Sequence, residues 1–231
     1  MPLPQEELLE LQGEGARHWN DLRAIWSELA PGPEAGTPKF RSRDLNPQQA
    51  GLVFEWWILE GFRLSHIGGH RPFRVSLDGS MTLEQVDGII LEGWAGFLIE
   101  SKFQAAGVDV DPIYRLHFLV ERRPIGTLGL FFSASGYTRP ALETSRFLTP
   151  MRVLLFDAAD LHWAMQRPAG MREMVRRKWT LALKAGRSYT AVTESMDLFP
   201  GSTRDDHHER PDDRGEPPGP ALSGSDLPRR D

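Results

Sequence analysis

The sequence predicts a mixed α/β domain in which an antiparallel β-hairpin leads into parallel strands that are joined by helices. The first observation is the stretch VDGIILEGWAGFLIESKF, residues 86–103, which is apolar on both sides of a central Gly-Trp pair and is typical of a hairpin. The second is that the apolar segments TLGLFFSAS and RVLLFD alternate with helical patterns further along the chain. Short strands that alternate with helices indicate parallel crossover connections.

The composition is that of an ordinary soluble globular chain. It has 231 residues, of which 40% are hydrophobic and 26% are charged, and its longest apolar runs are too short to span a membrane. Residues 1–30 form a charged segment rather than a signal peptide. The absence of cysteine excludes disulfides, thiolate zinc sites and cysteine nucleophiles. We therefore expect a cytoplasmic protein.

The charge is distributed unevenly along the chain. A net charge of −5 argues against a surface that coats nucleic acid throughout. Residues 167–187, however, hold seven Arg and Lys residues and one acid, Glu173. This segment is either a local face that binds phosphates or a solvated helix surface, and the sequence leaves both interpretations open.

Four segments follow from the distribution of apolar residues, Pro and Gly. Residues 1–30 have helical spacing, and residues 31–46 contain the linker-like sequence PGPEAGTP. Residues 47–189 carry the strands and helices of the main domain. Residues 199–231 are rich in Pro, Gly, Asp and Arg and are predicted to be disordered, because they offer almost nothing apolar to bury.

The main domain begins with a strong helix. Asn46 is the predicted N-cap, Pro47 suits the first turn, and Gly61 is predicted to end the helix. Two short strands are expected next, near residues 62–67 and 73–77. After the hairpin the predicted elements are a helix from Asp111-Pro112, a strand ended by Gly136, a short helix capped by Thr138, a strand at 152–157, a helix directly after it, and a basic helix at 171–185.

The register of the hairpin brings three charged residues together. If the chain reverses at Gly93-Trp94, opposite residue numbers have a constant sum, and Asp87 lies across from Glu100. Lys102 lies on the same face, because alternate residues of a strand point the same way. A register slip of one residue would place Asp87 and Glu100 on opposite faces.

Two carboxylates beside a lysine have the composition of a metal-assisted phosphodiesterase site. The carboxylates of Asp87 and Glu100 repel each other unless they share a proton or a cation, and oxygen ligands suit a hard ion such as Mg²⁺ (or Mn²⁺). Such an ion lowers the pKa of its water and neutralises charge that develops on a phosphoryl group. Lys102 can position the attacking water or stabilise the phosphorus centre. The other interpretation is a structural ion pair at a strand end.

These residues resemble the signature of a known nuclease family. Asp87, a hydrophobic hairpin and then Glu100-Ser101-Lys102 is similar to the motif of the PD-(D/E)XK nucleases, the restriction-endonuclease-like fold, with Val86 in place of the Pro that names the motif. The chain looks most like the Mrr-type domains of bacterial defence proteins. The resemblance covers roughly residues 47–189, and besides the motif it rests on the segments GLVFEWWILEGFRLS, GLFFSASGYTRPAL, VLLFDAADLHWAM and KWTLALKAGRSY.

The resemblance implies a role for each residue of the motif. Asp87, Glu100 and the backbone carbonyl of Ser101 would be the metal ligands, and Lys102 would be the catalytic lysine. Glu55 matches the auxiliary acid that points at the metal in many members of the family. Mrr-type enzymes often carry Gln at the position of Glu100, so the acid in this chain favours an active enzyme.

The resemblance also implies a substrate and partners. We expect a Mg²⁺-dependent endonuclease that cuts double-stranded DNA in restriction or defence, with a homodimer or a partner protein supplying specificity. One alternative is a non-catalytic nucleic-acid-binding or scaffold subunit that retains the fold, and another is a nuclease that acts on RNA or on branched or single-stranded DNA. The predicted nucleic-acid contacts are Gln104, Ser133, Ser135, Arg172, Arg176, Arg177 and Lys178.

Overall fold

A computed structural model describes residues 18–29, 39–40, 43–70, 73–77 and 81–194. All of them belong to one compact unit, Met1–Leu198. The segment 199–231, for which disorder is predicted, lies outside the described residues, as do most of the N-terminal segment and of the linker. No helix in the described part of the chain is both long and apolar enough to cross a membrane.

The described residues form six helices and nine strands. The helices are α1 Trp19–Leu29, α2 Pro47–Leu64, α3 Val110–Glu121, α4 Arg139–Ser145, α5 Ala158–Met165 and α6 Gly170–Ala185. The strands are β1 Lys39–Phe40, β2 Arg43–Asp44, β3 Gly68–His70, β4 Phe73–Leu77, β5 Met81–Val86, β6 Gly88–Glu92, β7 Ala95–Lys102, β8 Leu128–Ser133 and β9 Val153–Phe156.

A five-stranded mixed sheet lies at the centre of the fold, with the strand order β3-β6-β7-β8-β9. The pairs β3–β6 and β6–β7 are antiparallel, whereas β7–β8 and β8–β9 are parallel. The β6–β7 hairpin therefore leads into parallel crossovers through α3 and α4, which confirms the predicted fold class. Two small two-stranded sheets, β1–β2 and β4–β5, accompany the central one.

The hairpin has the predicted register. Glu92 pairs with Ala95 beside the turn, and Gly88 pairs with Ile99 at the other end of the ladder. Gly93 in the turn has a φ of 60°, a left-handed conformation that glycine adopts without strain. One step beyond the last pair, the same register places Asp87 across from Glu100.

The start of α2 matches its prediction. The Asn46 side chain accepts a hydrogen bond from the Gln49 N–H, and the Gln49 side chain accepts one from the Asn46 N–H. This reciprocal pair is a capping box, which satisfies two backbone donors that the first turn leaves unpaired.

The end of α2 differs from its prediction. The helix continues through Gly61 to Leu64, so the strand expected near residues 62–67 is wrong. Gly61 has a packing role instead, because a methyl group there would lie 2.9 Å from Met171 Cγ of α6. The glycine thus allows α2 and α6 to approach closely, and the helix ends where the Ser65 hydroxyl donates to the Gly61 carbonyl.

Helices cover both faces of the central sheet. On one face, α2 packs with α1, α5 and α6 around a core that includes Trp57 and Phe132. On the other face, α3 and α4 pack on Leu98, Phe131 and Leu155. Each of these side chains is almost fully buried and contributes about 1.5–3 kcal/mol of hydrophobic stabilisation.

The chain after α6 returns along the sheet. The N–H of Leu155 in β9 donates to the Ser188 carbonyl at 3.0 Å. The Ser188 hydroxyl donates to Ser145 Oγ at the end of α4. This segment therefore lies against the β9 edge.

Gly129 in β8 sets the distance between α3 and the sheet. A methyl group at this position would lie 2.8 Å from Leu116 Cγ and 3.2 Å from Val120 Cγ2. We expect Gly129→Ala to lower the free energy of unfolding by about 1–3 kcal/mol, because it overpacks this contact. Gly51 of α2 has no atom within 4 Å of the equivalent position, so Gly51→Ala should raise stability by up to about 1 kcal/mol. Urea denaturation measures both, and equal stability of the two variants contradicts the prediction.

Candidate active site

Asp87 is held in place by the strand that follows the hairpin turn. The residue lies between β5 and β6, is 8% exposed, and accepts two hydrogen bonds on Oδ2. The Ser101 N–H donates one at 2.8 Å and the Ser101 hydroxyl donates the other at 3.0 Å. Both bonds end on the same oxygen, so the carboxylate has a fixed orientation and Oδ1 makes no hydrogen bond to the described residues.

Glu100 and Lys102 lie at the end of β7, where the parallel strands of the sheet also end. The Lys102 Nζ donates to Glu100 Oε1 at 2.6 Å. The Glu100 side chain is 9% exposed and that of Lys102 is 37% exposed. Burial raises the pKa of the Glu100 carboxyl, and the nearby Asp87 raises it further, whereas Lys102 opposes both effects. Lys102 is therefore the cation that directly contacts Glu100 in this structure.

Glu55 reaches the same site from α2. This helix packs against β7, and the neighbouring residue Phe54 contacts Phe103 just after β7, with ring centroids 5.5 Å apart. Burial raises the pKa of Glu55 to about 8, and the charges of Asp87 and Glu100 add to the increase. The structure therefore brings the three predicted acids and the predicted lysine within electrostatic range of one another.

The donor set fits a hard divalent cation. No three His, Cys, Asp or Glu side chains of the described residues form a group that could by itself hold a metal ion. Mg²⁺ commonly takes only one or two carboxylates from a protein and keeps water as its other ligands, so Asp87 and Glu100 suffice. Burial is the main cause of the raised pKa of Glu55 and Glu100, and an added cation would relieve the charge repulsion that raises each pKa further. A contact from the Ser101 carbonyl stays a prediction.

The raised pKa of Glu55 predicts a pH-dependent stability. Because the pKa is about 8 in the folded protein and 4.5 ordinarily, the folded state binds more protons than the unfolded state between these values. The free energy of unfolding of the metal-free protein should therefore fall as the pH rises from 4.5 to 8, and Glu55→Gln should flatten this dependence. Thermal unfolding in EDTA across this range measures it. The same pH profile in both proteins contradicts the prediction.

Of the predicted nucleic-acid contacts at the ends of β7 and β8, one is wrong and two are not tested by the structure. Ser133 is fully buried and its hydroxyl donates to the Gly136 carbonyl, so the prediction that it contacts substrate is wrong. Strand β8 ends at Ser133, and the Ser133 hydroxyl is taken up by a hydrogen bond within the turn that follows. Ser135 donates to the Ala106 carbonyl, and the exposed Gln104 side chain donates to the same carbonyl. Substrate contacts by Ser135 and Gln104 stay predictions.

The basic segment of α6 is only partly a surface. Lys178 is 1% exposed and its Nζ donates to Asp160 Oδ2, so the prediction that it contacts nucleic acid is wrong. Lys178 lies on the buried face of α6, and the number of basic residues in a helix does not show which of them face inward. Arg177 donates to the Val192 and Glu194 carbonyls and so holds the segment after α6. Its contact with nucleic acid stays a prediction.

Arg172 lies near the end of the sheet that is remote from the acids. Its Nη2 donates to the His66 carbonyl at 2.8 Å, and its Nε lies 3.2 Å from Glu92 Oε1. Glu92 adjoins the hairpin turn, whereas Glu100 lies near the other end of β7, about 17 Å away. Arg172 therefore does not line the candidate site. Arg176 is exposed, and a nucleic-acid contact by either arginine stays a prediction.

Arg115 of α3 is not among the predicted site residues. Its charge nevertheless lowers the pKa of the Glu100 carboxyl, which means that the guanidinium lies near the site. The residue is exposed and belongs to the first helix after Lys102. Its position in that helix is the only sequence signal that could have found it, because no motif marks it.

Two solved structures of restriction endonucleases are similar to this chain. The structure of FokI matches with a TM-score of 0.43 and 12% identity over 75% of this chain and 32% of its own. The structure of MspJI in complex with a 27-mer oligonucleotide matches with a TM-score of 0.32 and 21% identity over 61% of this chain and 33% of its own. This chain thus spans about a third of the length of each of them. No family model and no curated protein matches the sequence.

Proposed function

We propose that this chain is a metal-dependent nuclease that hydrolyses phosphodiester bonds in DNA, with double-stranded DNA as its expected substrate. The observation that carries the proposal is the meeting of Asp87, Glu100 and Lys102 at one end of the sheet, with Glu55 beside them. Acids whose pKa is raised by burial and by neighbouring charges are candidates for residues of a functional site.

Each residue of the site has a distinct role in this proposal. Asp87 and Glu100 would hold Mg²⁺ or Mn²⁺, and Ser101 fixes the orientation of the Asp87 carboxylate through Oδ2. A bound divalent ion supplies Lewis acidity and lowers the pKa of water. Lys102 is partly exposed and its Nζ donates to Glu100 Oε1, so the ammonium group lies beside a proposed metal ligand, where it can orient the attacking water and stabilise charge on the phosphate. The pKa of about 8 makes Glu55 mostly protonated in the metal-free site at neutral pH. A bound cation would lower this pKa, and the Glu55 carboxylate would then add negative potential that favours the cation.

The biological setting belongs to the proposal as well. We infer an endonuclease of restriction or defence in the cytoplasm, most similar in motif to Mrr-type domains and acting as a homodimer or with a partner that supplies specificity. The competing hypothesis is a non-catalytic subunit that keeps the fold and binds nucleic acid. It predicts the same ion pair between Lys102 and Glu100 without metal-dependent cleavage.

The test is cleavage of plasmid and phage DNA, methylated and unmethylated, with Mg²⁺, Mn²⁺ or EDTA. We expect wild-type protein to cut only with a metal, and Lys102→Ala to cut more slowly by about 10²–10³-fold, the usual effect of removing one group that stabilises developing charge. Lys184→Ala removes a lysine of α6 and is the matched control. A folded wild-type protein that cuts none of these DNAs with either metal, while still binding them, would favour the non-catalytic subunit.

A further inference from the structure

We propose that Arg115 is a further substrate-binding residue, whose guanidinium binds a phosphate of the nucleic-acid strand next to the bond that is cut. The assignment rests on the proposed nuclease function and adds a contact that the sequence motif does not contain. Arg115 lies on α3, which covers the face of the sheet that carries Leu98. Glu100 is two residues further along β7, so its side chain emerges on the same face.

Along the sheet, Arg115 lies on the Glu100 side of the level that Leu116 occupies. Leu116 packs over Gly129 of β8, and Gly129 pairs with Leu98 of β7. The chain leaves β7 at the C-terminal end of that strand. Val108, just before α3, then pairs with Tyr137, which follows β8. Helix α3 therefore runs from the Glu100 end of the sheet toward the hairpin turn, and residues that precede Leu116 lie nearer Glu100.

His117 shows which side of α3 carries Arg115. The Nε2 of His117 makes a 2.9 Å hydrogen bond with the Pro150 carbonyl, just before β9. Residues 115 and 117 are about 200° apart around a helix. Arg115 therefore lies on the flank of α3 that is remote from β9, on the β6 side of the helix.

The chemistry of Arg115 suits a phosphate rather than a structural role. Its side chain is exposed, and it makes no hydrogen bond or ion pair to any described residue. A guanidinium presents its donors in a planar fork that matches two phosphate oxygens. A cation at the rim of an acidic site also offsets the repulsion that a polyanion would meet on approaching Asp87 and Glu100.

The test combines binding and kinetics on the full chain. DNA affinity is measured in Ca²⁺, without turnover, over a series of salt concentrations, and KM and kcat are measured in Mg²⁺. We expect Arg115→Ala to raise Kd and KM about tenfold, to reduce the slope of log Kd against log salt by about one, and to change kcat by less than about threefold. Arg115→Lys should recover part of the affinity and the full salt slope. Arg146→Ala, at the exposed C-terminal end of α4, is the control for loss of one surface arginine.

The outcomes separate this inference from the function on which it rests. If wild-type protein cuts DNA and Arg115→Ala matches Arg146→Ala in Kd, KM and salt slope, the assignment of Arg115 is overturned and the nuclease stands. If Arg115→Ala lowers kcat but leaves Kd and salt slope unchanged, the residue does not bind phosphate and the assignment is equally overturned. If wild-type protein binds no DNA, both fall together.

Discussion

Replacing Glu100 by glutamine is expected to lower metal-dependent cleavage on the order of 10³-fold, while the fold stays at least as stable. A ligand of the metal contributes several kcal/mol to stabilising the charge of the transition state, and each 1.36 kcal/mol corresponds to a tenfold change in rate. The amide keeps the shape of the carboxyl but has no charge. Because burial already raises the pKa of Glu100, removing its charge removes a cost to the folded state.

Three measurements distinguish this expectation from a merely structural role of Glu100. Glu100→Gln should lower the cleavage rate and the Mn²⁺ affinity measured by calorimetry. It should not lower the unfolding temperature in EDTA. Glu121→Gln, an exposed acid of α3, is the matched control and should leave all three unchanged. Undiminished cleavage by Glu100→Gln, or loss of activity accompanied by unfolding, would contradict the proposed metal site.

Replacing Lys178 by methionine is expected to lower the free energy of unfolding by about 3–5 kcal/mol. Lys178 and Asp160 are each 1% exposed, and Nζ lies 2.5 Å from Asp160 Oδ2. Methionine fills a similar volume but leaves the Asp160 carboxylate buried without its counter-charge. The same carboxylate accepts the Val192 N–H, so the effect should extend to the chain after α6.

Chemical denaturation at neutral pH checks this value, and a double variant tests its cause. Adding Asp160→Asn to Lys178→Met removes the orphaned charge and should recover a substantial part of the loss. The loss should also shrink at low pH, because the protonated Asp160 carboxyl carries no charge. Lys184→Met on the same helix is the control. A loss below about 1 kcal/mol, or no recovery in the double variant, contradicts the explanation.

The sequence is sufficient to predict features that depend on near neighbours. The register of the hairpin follows from a turn at Gly93-Trp94, and that register decides the pairing of Asp87 with Glu100. The N-cap at Asn46 likewise depends on a residue three positions away. Both are short-range constraints, in which one backbone geometry satisfies the local hydrogen bonds and the apolar pattern together.

Features that depend on distant partners are the ones predicted wrongly. Gly61 has the composition signal of a helix end, but its role is set by Met171, which is 110 residues away. Lys178 has the signal of a basic surface, but the acid Asp160 on α5 compensates its burial. No sequence pattern identifies Arg115, since only the packing of α3 on the sheet brings this residue toward Glu100.

The segment that lies along β9 has a consequence for self-association. A strand at the edge of a sheet offers unpaired backbone groups to any other chain, and such edges promote aggregation. Here the Leu155 N–H is already paired with Ser188, and the opposite edge strand, β3, is only three residues long. Within the described residues, neither edge of the central sheet therefore offers a long unpaired strand to a second copy. A chain cut before Gly186 would lose that protection on the β9 side and should form strand-mediated aggregates.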